Sequence, residues 1–125
     1  MGSFTDAREN AILEAEFGVS AHVAPTGPFK LALTTTAPTD AAAGTKVTGG
    51  GYTDPSITWG SAAAGVIANT NAITISNMPA VTVLGFDVYD SAGSPRRIAW
   101  GTVSKTYAAG DAATIAVGAL TVTLD

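Results

Sequence analysis

The side chains that could do acid–base chemistry are few and scattered in this sequence. His22 is its single histidine, and none of its 125 residues is a cysteine. A nucleophilic hydrolase needs a base beside its nucleophile, and no G-x-S-x-G motif surrounds any serine. Asp87 and Asp90 lie three residues apart across the end of a predicted strand, but short acidic side chains in β-rich proteins usually cap loops. We therefore expect no catalytic residue and no enzyme activity.

The sequence also lacks the common motifs for metals and phosphates. No D-x-D-x-D-G loop and no H-E-x-x-H or H-x-x-E-H set occurs. Gly49-Gly50-Gly51 has no Gly-Lys-Ser/Thr ending and precedes no predicted helix, so it is not a phosphate loop. We expect no cofactor and no metal site, with a divalent cation on loop oxygens as an open alternative.

The charge balance excludes several classes of partner. Six Lys and Arg against ten Asp and Glu give a net charge of −4, which argues against binding nucleic acid. No stretch of 18 apolar residues occurs, so no membrane partner is expected. Charged residues make up only 13% of the chain, about half of the usual quarter. This composition indicates a surface that partly contacts other protein.

Two groups of residues are candidates for binding. The aromatic residues could form a platform for stacking sugars; they are Tyr52, Trp59, Tyr89, Trp100 and Tyr107. Trp59 and Trp100, however, lie inside apolar strand patterns, where packing in the core is the commoner use. The second group, Arg96 and Arg97, sits at a predicted hairpin tip. This pair is either a solvated turn or an anchor to another subunit through bidentate pairing.

One helix is predicted near the N-terminus. Asp6 is a plausible N-cap, Glu9 could complete a capping box, and Gly18 is a natural stop. A helix this short is marginal in water, so it must dock on its own domain or on a neighbouring subunit. The predicted protein-interaction residues are therefore its apolar face and the arginine pair, namely Ile12, Leu13, Phe17, Arg96 and Arg97.

The rest of the chain predicts short β-strands separated by turn signals. The predicted strands cover residues 29–34, 56–59, 65–68, 72–76, 81–89 and 97–103, with one or two more between 113 and 124. Residues 35–51 form a long loop with little to pack. Such spacing is typical of a β-sandwich or jelly roll. We predict a mainly β protein: a single β-sandwich or jelly-roll domain over residues 25–125, preceded by a short N-terminal α-helix and arm over residues 1–24.

Residues 29–125 resemble a known group of proteins through a series of short segments. They are Thr34-Thr35-Thr36-Ala37-Pro38-Thr39-Asp40, Gly49-Gly50-Gly51-Tyr52, Ile57-Thr58-Trp59-Gly60, Ile67-Ala68-Asn69-Thr70, Asp90-Ser91-Ala92-Gly93 and Gly118-Ala119-Leu120-Thr121-Val122-Thr123-Leu124-Asp125. In this order they resemble small virion proteins of tailed bacteriophages, described as head decoration, minor tail or tail fibre proteins.

The resemblance implies a structural protein of the virion, assembled in the host cytoplasm, with no catalytic residues to transfer. The first expectation is a capsid decoration protein, a homotrimer that binds the major capsid protein and cements its lattice. The alternative is a tail or fibre component that binds tail proteins and a glycan of the host surface. In either case the N-terminal helix is the predicted docking arm, and the 35–51 loop is a predicted second contact that orders on assembly.

Overall fold

The fold is mainly β, as predicted, with one short helix. A computed structural model describes residues 2–124 and places nine strands and one helix in that range. In chain order the elements are β1 (Gly2–Phe4), α1 (Asp6–Glu16), β2 (Phe29–Thr34), β3 (Ser56–Ile57), β4 (Val66–Ala68), β5 (Ile73–Ile75), β6 (Val81–Tyr89), β7 (Arg97–Tyr107), β8 (Ala113–Ile115) and β9 (Thr121–Thr123). No helix among these residues is long and apolar enough to cross a bilayer.

Seven strands form one sheet in the order β3-β2-β6-β7-β1-β9-β4. Neighbours in this sheet are antiparallel, except that β1 and β9 run parallel. The β6–β7 hairpin lies in the interior of the sheet and contains its two longest strands. The remaining strands, β5 and β8, form a separate two-stranded antiparallel ribbon.

The core lies between the large sheet and the β5–β8 ribbon. Residues paired across neighbouring strands share a face, and Leu31, Val88 and Ala99 follow one another across β2, β6 and β7. Ile73 and Ile75 of the ribbon join the same buried apolar cluster. The ribbon therefore forms a partial second layer over one face of the sheet.

The N-terminal segment differs from the prediction in two ways. Residues 2–4, assigned by sequence to the arm, form a strand between β7 and β9 in the large sheet. Three residues are too few to show a strand periodicity, so this element had no sequence signal. The predicted N-cap was wrong by one residue: Thr5 takes that position, and its side chain makes no capping bond. The predicted stop at Gly18 is confirmed, since its φ of +73° suits glycine.

The 35–51 loop packs on its own sheet, contrary to the expectation that it has little to pack. Val47 lies in the core with 3% of its surface exposed. Pro38 packs directly against Gly85, since a Cβ added at Gly85 would lie 2.3 Å from the Cδ atom of Pro38. The Gly44 amide donates a hydrogen bond of 2.9 Å to a carboxylate oxygen of Asp87. The loop is therefore held in place by contacts within the chain.

Candidate functional site

Four large apolar side chains are exposed in the arm, which we define as residues 6–24. Leu13 is 56% exposed, Phe17 78%, Val19 74% and Val23 67%. Ile12, the remaining predicted member of the helical face, is half-buried. Leu13 and Phe17, two of the three residues of this segment predicted to bind protein, are thus accessible, and Val19 and Val23 add two exposed apolar side chains after the helix.

The turn after α1 is well ordered by backbone hydrogen bonds. The Val19 amide donates to the Glu14 carbonyl at 2.8 Å, and the Gly18 amide donates to the Ala15 carbonyl at 3.3 Å. The Ser20 hydroxyl adds a bond of 3.1 Å to the Glu14 carboxylate. These bonds satisfy the helix end without burying Phe17 or Val19. The arm therefore presents apolar side chains on a backbone whose shape is already set.

Arg97 is bound within its own chain at the start of β7. Its Nε donates to the Asp87 carboxylate at 2.7 Å, and the Asp87 side chain is fully buried. Its two terminal amino groups donate to the backbone carbonyls of Thr39 and Asp40, at 2.6 and 3.1 Å. One guanidinium thus compensates a buried charge and ties the 35–51 loop to the sheet.

Arg96 makes a second pair, with Asp90 at the end of β6. Its Nη2 lies 2.7 Å from the Asp90 carboxylate, which has no exposed surface, and its backbone amide donates to the same carboxylate at 2.7 Å. Burial alone raises the pKa of Asp90, but the bonds from Arg96 and from the Thr26 amide outweigh it and lower that pKa to about 2. Arg96 also donates to the Ala24 carbonyl at 3.2 Å, which anchors the end of the arm.

The arginine pair therefore has partners inside the chain, and its proposed role as an anchor to another subunit stays a prediction. Sequence analysis missed these partners. A signal was available, because Asp87 is an acidic residue within the longest apolar strand and two arginines follow after a turn. A buried carboxylate in such a strand needs a cation nearby.

The predicted aromatic platform is divided between the two faces of the large sheet. Trp59 lines an apolar groove with Val88 and Ala99 on the core face. Trp100 follows Ala99 in β7, so it lies on the opposite face, where its Nε1 donates to the Asp40 carboxylate at 2.6 Å. Tyr52 is tied to the Leu33 amide and the Asp54 carboxylate, each at 2.8 Å, and burial raises its pKa. These aromatic rings do not form one stacking surface.

No group of three potential metal ligands occurs within residues 2–124. The arm and the paired arginines therefore remain the features of the described chain with the clearest potential for recognition.

A comparison with protein families matches residues 3–123 to Podophage GP4 fiber I protein gp80. The chain belongs to this family. The predicted resemblance to small virion proteins of tailed phages is thereby confirmed. A comparison with curated proteins found no match.

Membership in this fibre family identifies a structural protein of the phage virion. It also implies association with other virion or tail proteins. Of the two readings of the sequence, the family match supports the tail or fibre alternative better than capsid decoration. No specific support exists for a capsid lattice as the partner.

Proposed function

We propose that this fibre-family protein is a non-catalytic subunit of a podophage tail fibre that assembles through its arm. The observation that carries the proposal is that four large apolar side chains within eleven residues of the arm are exposed: Leu13, Phe17, Val19 and Val23. Several exposed large apolar side chains within one short segment are typical of an interaction site. Burying one such side chain against a partner contributes about 1.5–3 kcal/mol, so several together can hold an assembly.

The attachment of the arm at both ends supports this role. At its start, β1 lies in the sheet, and the Thr5 amide donates to the Ile98 carbonyl at 3.1 Å. At its end, Arg96 holds the Ala24 carbonyl. A docking element fixed at two points loses less conformational entropy on binding than a free tail does.

The partner that we propose is a second copy of the chain, in a closed homotrimer that then joins other tail proteins. Identical arms around a rotation axis give identical contacts, which is how most homo-oligomers close. Repeated weak contacts along a fibre also add up to firm attachment.

The test compares two arm variants with a matched control. Leu13→Ser and Phe17→Ser should shift the oligomer to monomer in native mass spectrometry and reduce incorporation into virions. Val117→Ser, which alters a side chain 61% exposed in the loop between β8 and β9, should change neither. Deleting residues 1–18 is unsuitable because it also removes β1. A wild-type monomer, or arm variants that assemble normally, would contradict the proposal.

The number of copies in each particle separates a fibre from a capsid lattice. Quantitative mass spectrometry of purified virions, normalised to the major capsid protein, should give a small number of copies for a tail fibre. A number comparable with that of the major capsid protein would instead support decoration and reverse our preference.

A further inference from the structure

An apolar groove opens on the core face of the large sheet, at a place that the β5–β8 ribbon does not line. Its volume is about 140 Å³, and all eight residues that line it in the described chain are apolar. Val88, Ala99 and Val122 form its floor, since each is at most 4% exposed. Apolar surface left open in this way is favourably covered by another apolar group.

Three aromatic rings form the rim of this groove. Phe4, Phe29 and Trp59 are half-buried, so each packs against the core and keeps some exposed surface. Strand pairing fixes Phe4 in β1 and Phe29 in β2, and the backbone of Trp59 forms an isolated bridge to Asn69. The groove is therefore formed before any partner binds, which lowers the entropic cost of filling it.

The size of the groove fits one side chain better than a free small molecule. Ligand sites usually enclose about 300–1,000 Å³, at least about twice the volume of the groove. A dry apolar cavity of about 150 Å³, by contrast, holds one benzene ring. The groove therefore suits a single aromatic or large aliphatic side chain presented by a protein surface.

The chain itself carries such a side chain on its arm. Phe17 is 78% exposed, the highest fraction among the large apolar side chains of residues 2–124. This exposure means that Phe17 does not fill the groove of its own chain. The helix begins two residues after Phe4 and, at 1.5 Å per residue, carries Phe17 about 16 Å from its first residue. A second copy of the chain is therefore the natural source of the ring.

A second recess beside the groove matches the preceding apolar residue on the same helical face. It has a volume of about 190 Å³, shares Phe4 and Ile67 with the groove, and continues to Leu124. The Phe17 amide donates to the Leu13 carbonyl at 3.0 Å, so these two residues are one helical turn apart and their side chains are neighbours. Two neighbouring side chains thus correspond to two neighbouring recesses.

Charge favours the same placement. The arm carries four carboxylates and a single arginine, with no lysine. Lys30 follows Phe29 in β2 and donates to the Ser56 hydroxyl at 2.8 Å, but no carboxylate oxygen of residues 2–124 lies within 4 Å of its Nζ. Attraction between exposed charges acts over about 8 Å at physiological salt, so this lysine draws an acidic arm towards the rim.

We propose that the arm of one copy docks on the next copy, with Phe17 in the groove and Leu13 in the recess beside it. The inference rests on the proposed assembly through the arm, and it names the surface that receives the arm. Because the two surfaces differ, each copy donates one arm and receives another, and a ring of three copies completes every contact.

A mixture of two monomeric variants tests this contact. Phe17→Ser keeps the groove and loses the ring that fills it. Ile67→Glu keeps the arm and places a carboxylate between the groove and the recess. When isotope-labelled Phe17→Ser chain is titrated with unlabelled Ile67→Glu chain, the NMR signals of the Phe4 and Phe29 amides and of the Trp59 indole should shift and saturate.

The matched control is the same titration with the double variant Phe17→Ser/Ile67→Glu. It should bind at least about tenfold more weakly, because it has no aromatic ring to bury. Equal binding by the double variant would overturn the inference, as would shifts confined to residues away from the groove.

A second receiving-surface variant leaves the buried core untouched. Leu124 is 48% exposed, and Leu124→Glu places a carboxylate in the recess opposite an acidic arm. It should raise the dissociation constant of the oligomer at least about tenfold. Leu84→Glu makes the same chemical change at a side chain of β6 that is 37% exposed, and it should leave the dissociation constant unchanged. Equal effects of the two variants would contradict the proposed receiving surface.

The inference and the proposed function fail separately. If Phe17→Ser dissociates the oligomer while Ile67→Glu and Leu124→Glu leave it intact, the arm docks elsewhere. The inference is then wrong and assembly through the arm stands. If the wild-type chain is a monomer and the mixed variants do not bind each other, both proposals are wrong.

Discussion

The β6–β7 hairpin and the arm differ in which of their apolar and charged side chains are buried. In the hairpin, Phe86 and Val88 are buried, and the buried charge of Asp87 has a cation within 2.7 Å. In the arm, Leu13 and Phe17 are exposed, and the one buried side chain of α1 is the cation Arg8. The hairpin is complete within one chain. The arm leaves apolar side chains exposed, and we propose that a partner covers them; we therefore assign stability to the hairpin and recognition to the arm.

The largest expected effect is the loss of folding stability when a buried side chain of the β6–β7 hairpin is removed. Phe86→Ala removes an aromatic ring that is 3% exposed in the shared core. It should lower the free energy of unfolding by about 3–5 kcal/mol, because it removes apolar contacts and leaves a cavity. Urea denaturation followed by circular dichroism measures the change. A midpoint equal to that of the wild type would show that the ring does not pack in the core.

The second largest effect concerns the ion pair between Arg97 and the buried Asp87. Arg97→Gln leaves the Asp87 carboxylate buried without its cation and removes bonds to the Thr39 and Asp40 carbonyls. The free energy of unfolding should fall by about 3 kcal/mol. Lys105→Gln, which removes an exposed cation from the same strand, should change it by less than about 0.5 kcal/mol. Equal effects of the two variants would mean that the Arg97–Asp87 ion pair contributes no more to the free energy of unfolding than an exposed lysine does.

A smaller effect appears in the pH dependence of stability. The pKa of Asp90 is lowered in the folded chain to about 2, from 3.8. Its ionised form therefore favours the folded state above about pH 4, and this contribution is lost as the pH falls towards 2. Thermal unfolding between pH 5 and 2 should show a steeper loss for the wild-type chain than for Asp90→Asn. Parallel curves would show that the carboxylate is not held by Arg96 as described.

The smallest expected effect sharpens the contrast most directly. Phe17→Ala makes the same chemical change as Phe86→Ala, but at a side chain that is 78% exposed. In the dissociated monomer it should change the free energy of unfolding by less than about 0.5 kcal/mol. Urea denaturation at protein concentrations below the dissociation constant of the oligomer measures this change in free energy. A loss similar to that of Phe86→Ala would mean that Phe17 packs within its own chain.

Local sequence patterns predicted most of the strands but not their arrangement. The predicted strand 81–89 has the bounds of β6, because a long apolar run between turn signals has few alternatives. The predicted strand 97–103 continues as β7 to Tyr107, beyond the point where apolar residues end. β1 was missed because its three residues are held by two long-range partners rather than by any local preference.

The candidate site was predictable in its apolar part and not in its charged part. Leu13 and Phe17 were found because apolar residues on a marginal helix must be buried somewhere. Arg8 passed unnoticed, since one arginine in an acidic first turn looks like an ordinary solvated side chain. It is buried only in the folded chain, where it lines a cavity with Asp40 and Arg97, about 30 and 90 positions away.

Residue types and their local order were sufficient to predict a mainly β chain with one short helix and low charge. These properties follow from periodicity, turn residues and composition, each of which acts over a few neighbouring positions. Only the folded chain shows that Asp87 and Asp90 neutralise Arg97 and Arg96, while no carboxylate of residues 2–124 lies within 4 Å of the Arg8 guanidinium. The reason is physical: Coulomb interactions and desolvation depend on distance and burial in space, and these are decided by the pairing of strands far apart in sequence.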